Sequence, residues 1–389
     1  MTPQLPPLSL YVHVPWCVRK CPYCDFNSHG VGRGAELPEA DYLAALLADL
    51  DTDLPLAAGR ELASIFIGGG TPSLMSADFY RRLLNGIADR LPLAGDIEIT
   101  LEANPGTLER GRFLGYREAG INRLSLGVQS FADRQLQALG RIHSGQDAES
   151  AVSEARSAGF DNLNLDLMHG LPEQTPTLAL EDLERALELA PEHLSWYQLT
   201  LEPNTEFHSR PPRLPEEEVL WDIQDLGHER LEAAGLGRYE ISAYARPGRR
   251  ARHNLNYWRF GDYLGIGAGA HGKLSAAGEE GLSIERRWKV RQPKAYLRRL
   301  SDPRGFVAGH SRVEQGELPL EFAMNALRLV DGVSMTDWQR ATGLPPGALA
   351  PRLSEARKKG LLVEDARRLQ ATPQGLLFLN ELLALVDPQ

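Results

Sequence analysis

Short runs in which apolar residues dominate or alternate with polar ones recur through the first two thirds of the chain, separated by longer stretches with apolar positions three and four apart. The short runs predict strands at 8–14, 63–67, 97–101, 123–128, 162–167, 193–199 and 239–243, and the longer ones predict helices at 41–54, 77–91, 108–119 and 178–190. Strand, helix, strand, repeated about six times, implies parallel strands joined by right-handed crossovers. The units are too few for a closed eight-fold barrel, so the predicted fold is α/β: a partial (β/α)6 TIM-type barrel. The proline-rich stretch 211–215 reads as a linker into a helix starting near Glu216. Residues 245–300 are rich in glycine, arginine and aromatics and show no clear period. Beyond Gly309 the pattern turns helical at 318–329, 334–342 and 346–359. Two short apolar runs, 361–363 and 368–371, then flank a charged turn, and a last helix spans 373–386. This predicts a small C-terminal helical, winged-helix-like domain over 310–389, after a barrel at 1–244 and a connecting region at 245–309 that completes the core.

Composition narrows the picture. A chain of 389 residues is long enough to bury a large core without cross-links, and three cysteines are no disulfide framework. No leader pattern and no apolar run of membrane-spanning length occurs, so the expected compartment is the reducing cytoplasm. A net charge of −10 argues against a protein whose main task is gripping nucleic acid.

All three cysteines, Cys17, Cys21 and Cys24, fall in WCVRKCPYCDF, residues 16–26. This stretch follows the first predicted strand, at the end where α/β barrels place their chemistry. Thiolates at C-x3-C-x2-C spacing can point inward from one loop. A zinc ion would need a fourth ligand, for which His13 and His29 are near. A [4Fe–4S] cube held by three thiolates leaves one iron open, and Trp16, Tyr23 and Phe26 offer apolar cover. The pattern C-x3-C-x-aromatic-C after a first strand resembles the signature of the radical S-adenosylmethionine superfamily. That resemblance implies a [4Fe–4S] cluster on the three cysteines, with S-adenosylmethionine held on the open iron through its amino and carboxylate groups as the source of a 5′-deoxyadenosyl radical.

Later strand ends carry polar groups in series. IGGGTPS, 67–73, brings bare backbone to a strand end at Gly68, Gly69 and Gly70; a tight turn would explain the glycines equally well, whereas the resemblance implies that Gly69, Gly70 and Thr71 meet the methionine half of the cofactor. LEANP places Glu102 where a carboxylate could accept hydrogen bonds from a ribose diol. GVQSF supplies Gln129, GRIHS supplies Arg141 as a partner for a carboxylate, and LDLMHG places Asp166 at the end of the fifth strand. Each alone is also a helix cap or a solvated end. Together they put one polar group at each strand end. Tyr11 and Tyr23 join the S-adenosylmethionine set through the resemblance.

The series YVHVPWC, GGGTPS, LEANP, GVQSF, GRIHS and DLMHGLP runs in order over residues 11–172 and resembles the oxygen-independent coproporphyrinogen III dehydrogenase family. DYLGIGAGAHG, 262–272, and the helical C-terminal part extend the likeness over nearly the whole chain. The family has two branches. Its dehydrogenases carry a fourth cysteine, as C-x3-C-x2-C-G-C, and an arm before the first strand; here Asp25 and Phe26 follow Cys24, and the strand begins a few residues in. RHNLNYW, 252–258, reads H-N-x-x-Y-W and is similar to the heme chaperone branch. His253 offers an imidazole to iron, Tyr257 and Trp258 offer flat faces, and Arg249, Arg250 and Arg252 could pair with propionates. His271 is a second candidate ligand; a turn capped by His253 and Asn254 is the plainer account of the same residues. The branch implies a chaperone that binds heme and passes it to an acceptor protein, with a transient membrane-protein partner and a homodimer as further expectations. The rival is radical decarboxylation of coproporphyrinogen III propionates to protoporphyrinogen IX. A third reading, DNA binding by the C-terminal domain, finds only one basic stretch, ARKKG at 356–360.

Overall fold

Six short runs of β-branched and aliphatic residues form the strands β1 (Leu8–Val14), β2 (Leu62–Gly69), β3 (Leu93–Ala103), β4 (Arg123–Gln129), β5 (Leu163–His169) and β6 (His193–Gln198). In the computed structural model, which describes residues 5–32, 34–106, 111–278 and 281–387, these strands lie side by side in chain order and every adjacent pair is parallel. The helices α1 (Glu39–Ala57), α2 (Ala77–Ala88), α3 (Phe113–Glu118), α4 (Gly145–Ser157), α5 (Pro176–Glu188) and α6 (Glu217–Ala233) follow the strands in turn. The arrangement is a partial (β/α)6 barrel.

Local chemistry sets the helix starts. The Ser76 hydroxyl accepts from Phe79 N at the start of α2. Ser144 and Asp147 form a reciprocal capping box at α4, and Thr175 caps α5 with Pro176 at its first position. Each strand then sorts its side chains by parity. Leu10, Val12, Ile65, Ile67, Leu124, Leu126, Leu163 and Leu165 join the apolar layer beneath the helices. The alternate positions turn polar groups into the barrel, where Ser9 and Ser64 hydroxyls lie 2.8 Å apart and Ser125 donates to Asp166 at 2.9 Å.

The predicted strand at 239–243 is two strands. β7 (Gly237–Glu240) and β8 (Ala243–Ala245) form an antiparallel pair beyond β6, because Ser242 turns back to donate to Glu240 Oε1. The stretch without a clear period, 245–300, holds the helix α7 (Arg252–Trp258) and much of the sheet's other half. β9 (Asp262–Ile266) pairs parallel with β1 on its free side, and β10 (His271–Gly278), β11 (Gly281–Lys289) and β12 (Val307–Arg312) extend it antiparallel. The described part of the predicted helix 108–119 is α3; residues 107–110 lie outside the described residues.

Two buried charge clusters tie this extension to the barrel. Lys289 Nζ lies 2.5 Å from Asp49 and 2.6 Å from Asp53, and Asp49 also accepts from Tyr296 at 2.7 Å and from Gly267 N at 3.1 Å. Asp262 accepts from Arg60 at 2.7 Å, from Lys273 at 2.8 Å, and from both donors of Ser275 at 2.8 Å.

The C-terminal helices pack a second apolar core around Phe322, Trp338, Leu353, Leu369 and Leu382. This core takes in Tyr239 and Ala245 from one end of the sheet and Ile284 from near the other, and Val330 N donates to Tyr239 O at 3.0 Å. Arg368–Leu369 pairs with Val333–Ser334, while the expected hairpin partner 361–363 contributes one bridge, Leu362 to Ala371. The predicted helix at 373–386 breaks at Phe378 into Pro373–Leu377 and Leu379–Val386.

Removing one partner of a buried ion pair leaves an uncompensated charge. Lys289→Met, which strands Asp49 and Asp53, is expected to lower unfolding free energy by about 3–5 kcal/mol, read as a shift in the urea midpoint. A change within about 0.5 kcal/mol, the size of a surface substitution, would contradict the structural role of this cluster.

Candidate functional site

The cysteines sit on a loop that leaves β1 and is pinned at several points. Trp16 and Cys17 pair with His29 and Gly30, His29 N donates to Pro15 O at 2.7 Å, and Val31 N donates to Cys17 O at 2.9 Å. Thr71 N reaches Trp16 O at 2.7 Å and Gly70 N reaches Val14 O at 2.7 Å, which fastens the loop to the glycine run after β2. That run has no room for side chains. A Cβ on Gly70 would come within 2.6 Å of Trp16 O, and one on Gly69, whose φ is +118°, within 2.6 Å of the His13 ring.

Cys17, Cys21 and Cys24 all face a cavity of about 300 Å³ at the C-terminal ends of the strands. Cys17 is buried, and burial pushes its thiol up; Arg141 Nη1 donates to Cys21 Sγ at 3.6 Å. A single zinc ion would need its ligands about 2.0–2.3 Å from one point, and no three Cys, His, Asp or Glu side chains among the described residues converge in that way. A cube accepts each thiolate at a separate iron corner, and three thiols lining one cavity suit it.

Around the cavity stand Tyr23, Gly69, Gly70, Thr71, Glu102, Gln129, Arg141 and Asp166. Glu102 Oε2 accepts from Gly69 N at 3.1 Å; burial, then the nearby Asp166, pushes its carboxyl up to about 8. Arg141 donates to Asn104 at 2.6 Å and to Gly127 O at 2.7 Å, and Asn104 donates to Thr71 at 3.0 Å. Gln129 holds a positive φ of 70° and accepts from the Tyr197 hydroxyl at 2.8 Å. Asp166 lies mid-strand rather than at the end of β5, bonded to Ser125 and Asn164. Asn104, Ser125 and Tyr197 complete the wall. Asn104 lies inside LEANP and Ser125 two residues ahead of GVQSF, overshadowed by Glu102 and Gln129; Tyr197 had only its strand alternation to mark it.

A second and larger cavity, of about 910 Å³, opens beside the first between the barrel and the β10–β11 hairpin. Tyr11, Phe66, Tyr257, Trp258, Tyr263 and Trp288 line it with rings, and Phe26, 63 % exposed, borders both cavities. Tyr11 therefore belongs to this wall and not to the cysteine cavity; its hydroxyl meets His13 Nδ1 at 2.8 Å and its ring stacks on Phe66. His13 in turn contacts Asn27 O at 2.9 Å, and burial pulls its imidazole down to about 4. The cations of the cavity are Lys273, Arg286 and Arg291, and its acid is Asp25. Burial and the nearby Arg291 and Arg286 pull the His271 imidazole below its ordinary value.

The H-N-x-x-Y-W helix, α7, presents Tyr257 and Trp258 to this cavity but turns His253 inward. The His253 ring stacks on Phe66 at 4.0 Å, and its Nδ1 lies 3.5 Å from Glu98 Oε1. Burial pushes Glu98 up, yet the His253 contact and Arg123 outweigh it and hold the carboxyl below its usual range. The arginines expected beside a porphyrin stand elsewhere and are already paired, Arg249 with Asp161, Arg250 with Asp331 and Arg252 with Asp96. They line a separate small cleft. Charge alone could not place them, because the acids that take them are remote in sequence. No helix among the described residues is long and apolar enough to cross a membrane.

Comparison with known proteins agrees with this geometry. The Radical SAM superfamily matches residues 11–190 and the HemN C-terminal domain matches 313–378. The chain is 52% identical to the heme chaperone HemW of Escherichia coli over 98% of both chains, and 34% identical to that of Bacillus subtilis over 96% of this chain and 97% of the other. A mouse mitochondrial relative, radical S-adenosyl methionine domain-containing protein 1, is 36% identical over 98% of this chain and 87% of its own. The solved structure of E. coli coproporphyrinogen III oxidase HemN superposes with a TM-score of 0.81, covering 98% of this chain and 90% of that one at 24% identity, and so shares the fold. Three thiols at the open end of a partial barrel, an aromatic cavity beside them and full-length likeness to these relatives lead to one conclusion: the chain belongs to the HemW family of the radical SAM superfamily.

Proposed function

We propose that this protein is a heme chaperone, binding heme in the large cavity and passing it to an acceptor protein. The observation that carries the reading is the cavity of about 910 Å³ walled by eight Phe, Tyr and Trp side chains, into which α7 sends Tyr257 and Trp258. Flat apolar walls with a few cations at the rim suit an amphipathic macrocycle with two carboxylates. Relatives named heme chaperones at up to 52% identity over the full length support it.

The smaller cavity would hold a [4Fe–4S] cluster on Cys17, Cys21 and Cys24, and S-adenosylmethionine against the strand ends. The bound pair supplies one-electron reduction of a sulfonium. The chain's own part is to orient and shield. Gly69 and Gly70 offer backbone at close range, Arg141 suits a carboxylate, Glu102 suits a ribose diol, and Tyr23 and Phe26 limit access by water. Asp25 and Phe26 stand where the dehydrogenase branch has glycine and cysteine. The shared border at Phe26 favours the rival in one respect, since it would bring a porphyrinogen beside the cofactor.

One experiment separates the two. Cluster-reconstituted protein is titrated with heme, then mixed with an apo-hemoprotein, while a parallel anaerobic sample receives S-adenosylmethionine, reductant and coproporphyrinogen III. Heme uptake near one per chain and transfer to the acceptor are expected, without protoporphyrinogen. Protoporphyrinogen formed over many turnovers would overturn the chaperone reading. Trp258→Ala is expected to weaken heme binding by about tenfold through the lost aromatic face, measured by the same titration.

Glu102 adds a pH signature. Its carboxyl, raised to about 8, is protonated at neutral pH, and the ionised form is the better acceptor for a diol. S-adenosylmethionine affinity of the cluster-loaded protein is therefore expected to rise about tenfold between about pH 6.5 and 8.5. Glu102→Gln should flatten that rise, measured by anaerobic calorimetry. An equal rise in the variant would refute the assignment.

A further inference from the structure

Two histidines line the large cavity, His13 and His271, and neither is the one in the H-N-x-x-Y-W helix; His13 has both ring nitrogens engaged, by the Tyr11 hydroxyl and by Asn27 O. An iron ligand needs a ring nitrogen with a clear approach to the metal. His253 is 5 % exposed, covered on one face by Phe66 at 4.0 Å, flanked by Tyr257, and aimed with Nδ1 at Glu98; it contributes nothing to the cavity lining. His271 begins β10 at the cavity wall, is exposed, and has no hydrogen bond or ion pair on its ring among the described residues. Trp288 lies beside it, nearly parallel at 27° with centroids 6.4 Å apart, so ring and indole define one side of a slot. The cations divide in the same way. Lys273 is held by Asp262 and Arg286 by Glu321, whereas Arg291 is exposed and carries no ion pair among the described residues.

We propose that His271 ligates the iron of a heme seated in this cavity, with Arg291 meeting a propionate and His253 acting as a positioning residue behind the wall. The assignment rests on heme being the cargo. His253 then fixes α7, and thereby Tyr257 and Trp258, through Phe66 and Glu98.

The test is a hemin titration of the full chain and of its variants, followed by absorbance and electron paramagnetic resonance. The wild type is expected to show a histidine-ligated spectrum. His271→Ala should lose that signature and bind heme about tenfold more weakly, with free imidazole restoring the spectrum. His271→Met should replace it with a thioether-ligated one. His253→Ala should keep the histidine signature while its melting temperature falls. The assignment is overturned if His271→Ala retains the wild-type signature, or if His253→Ala loses it with native circular dichroism. Heme uptake by the wild type with only the His271 variants indifferent would leave the chaperone function standing and the ligand assignment fallen. A wild type that takes up no heme would remove both.

Discussion

Polar groups withdrawn from water must satisfy one another, and the interior of this incomplete barrel is arranged around that demand. Strand parity sends Ser125, Asn164 and Asp166 inward, and they bond among themselves at 2.7–2.9 Å. His193 closes onto Asn164 at 2.6 Å and onto Tyr239 at 2.8 Å. Glu98, Arg123 and His253 form the deeper layer, at ion-pair range but with Arg123 Nε and Nη2 and His253 Nδ1 left without a hydrogen bond. An apolar filling would pack as densely but would leave nothing to meet a charged ligand at the strand ends. A polar filling costs desolvation, and α7 lies against β1 and β2 where it covers that layer and excludes solvent. The open C-terminal ends are where unsatisfied capacity remains, and the thiol loop and the glycine run gather there.

Much of this was legible because it repeats. The parity of the first six strands and the cysteine spacing each carry their meaning within a few residues, so local reading located them, whereas the helix α4 and the caps at 76, 144 and 175 emerged only with the structure. Seven of the eight residues assigned to S-adenosylmethionine beyond β1 line the cysteine cavity at strand or loop ends, and the eighth, Asp166, does so from mid-strand. What escaped depends on distant partners. β9 is five residues long, buried against β1, and gains its place only from that neighbour. The inward turn of His253 requires Phe66 and Glu98, and the diversion of Arg249, Arg250 and Arg252 requires Asp161, Asp331 and Asp96. A histidine in a motif reads as a ligand until the carboxylate beside it is known.

The fold shared with a solved coproporphyrinogen oxidase leaves room for a different cargo. A shared scaffold fixes the open strand ends and the site they can hold, while side chains on the added strands decide what occupies the neighbouring space. Here those strands contribute His271, Lys273, Arg286 and Trp288, so the part of the chain with the weakest pattern shapes the larger cavity. Arg60 on Asp262 and Lys289 on Asp49 and Asp53 hold that addition to the barrel.

One amide makes the two cavities a single mechanical part. Asn27, on the thiol loop, donates from the same nitrogen to Ala268 O at 2.8 Å and to Arg291 O at 2.9 Å, while its own carbonyl receives His13. It acts as a crossbar. Any shift of the loop would pull on the turn before His271 and on the backbone of Arg291 together. Signals between the two compartments then need no domain motion, only the lever arm of a short loop whose fulcrum is the end of β1.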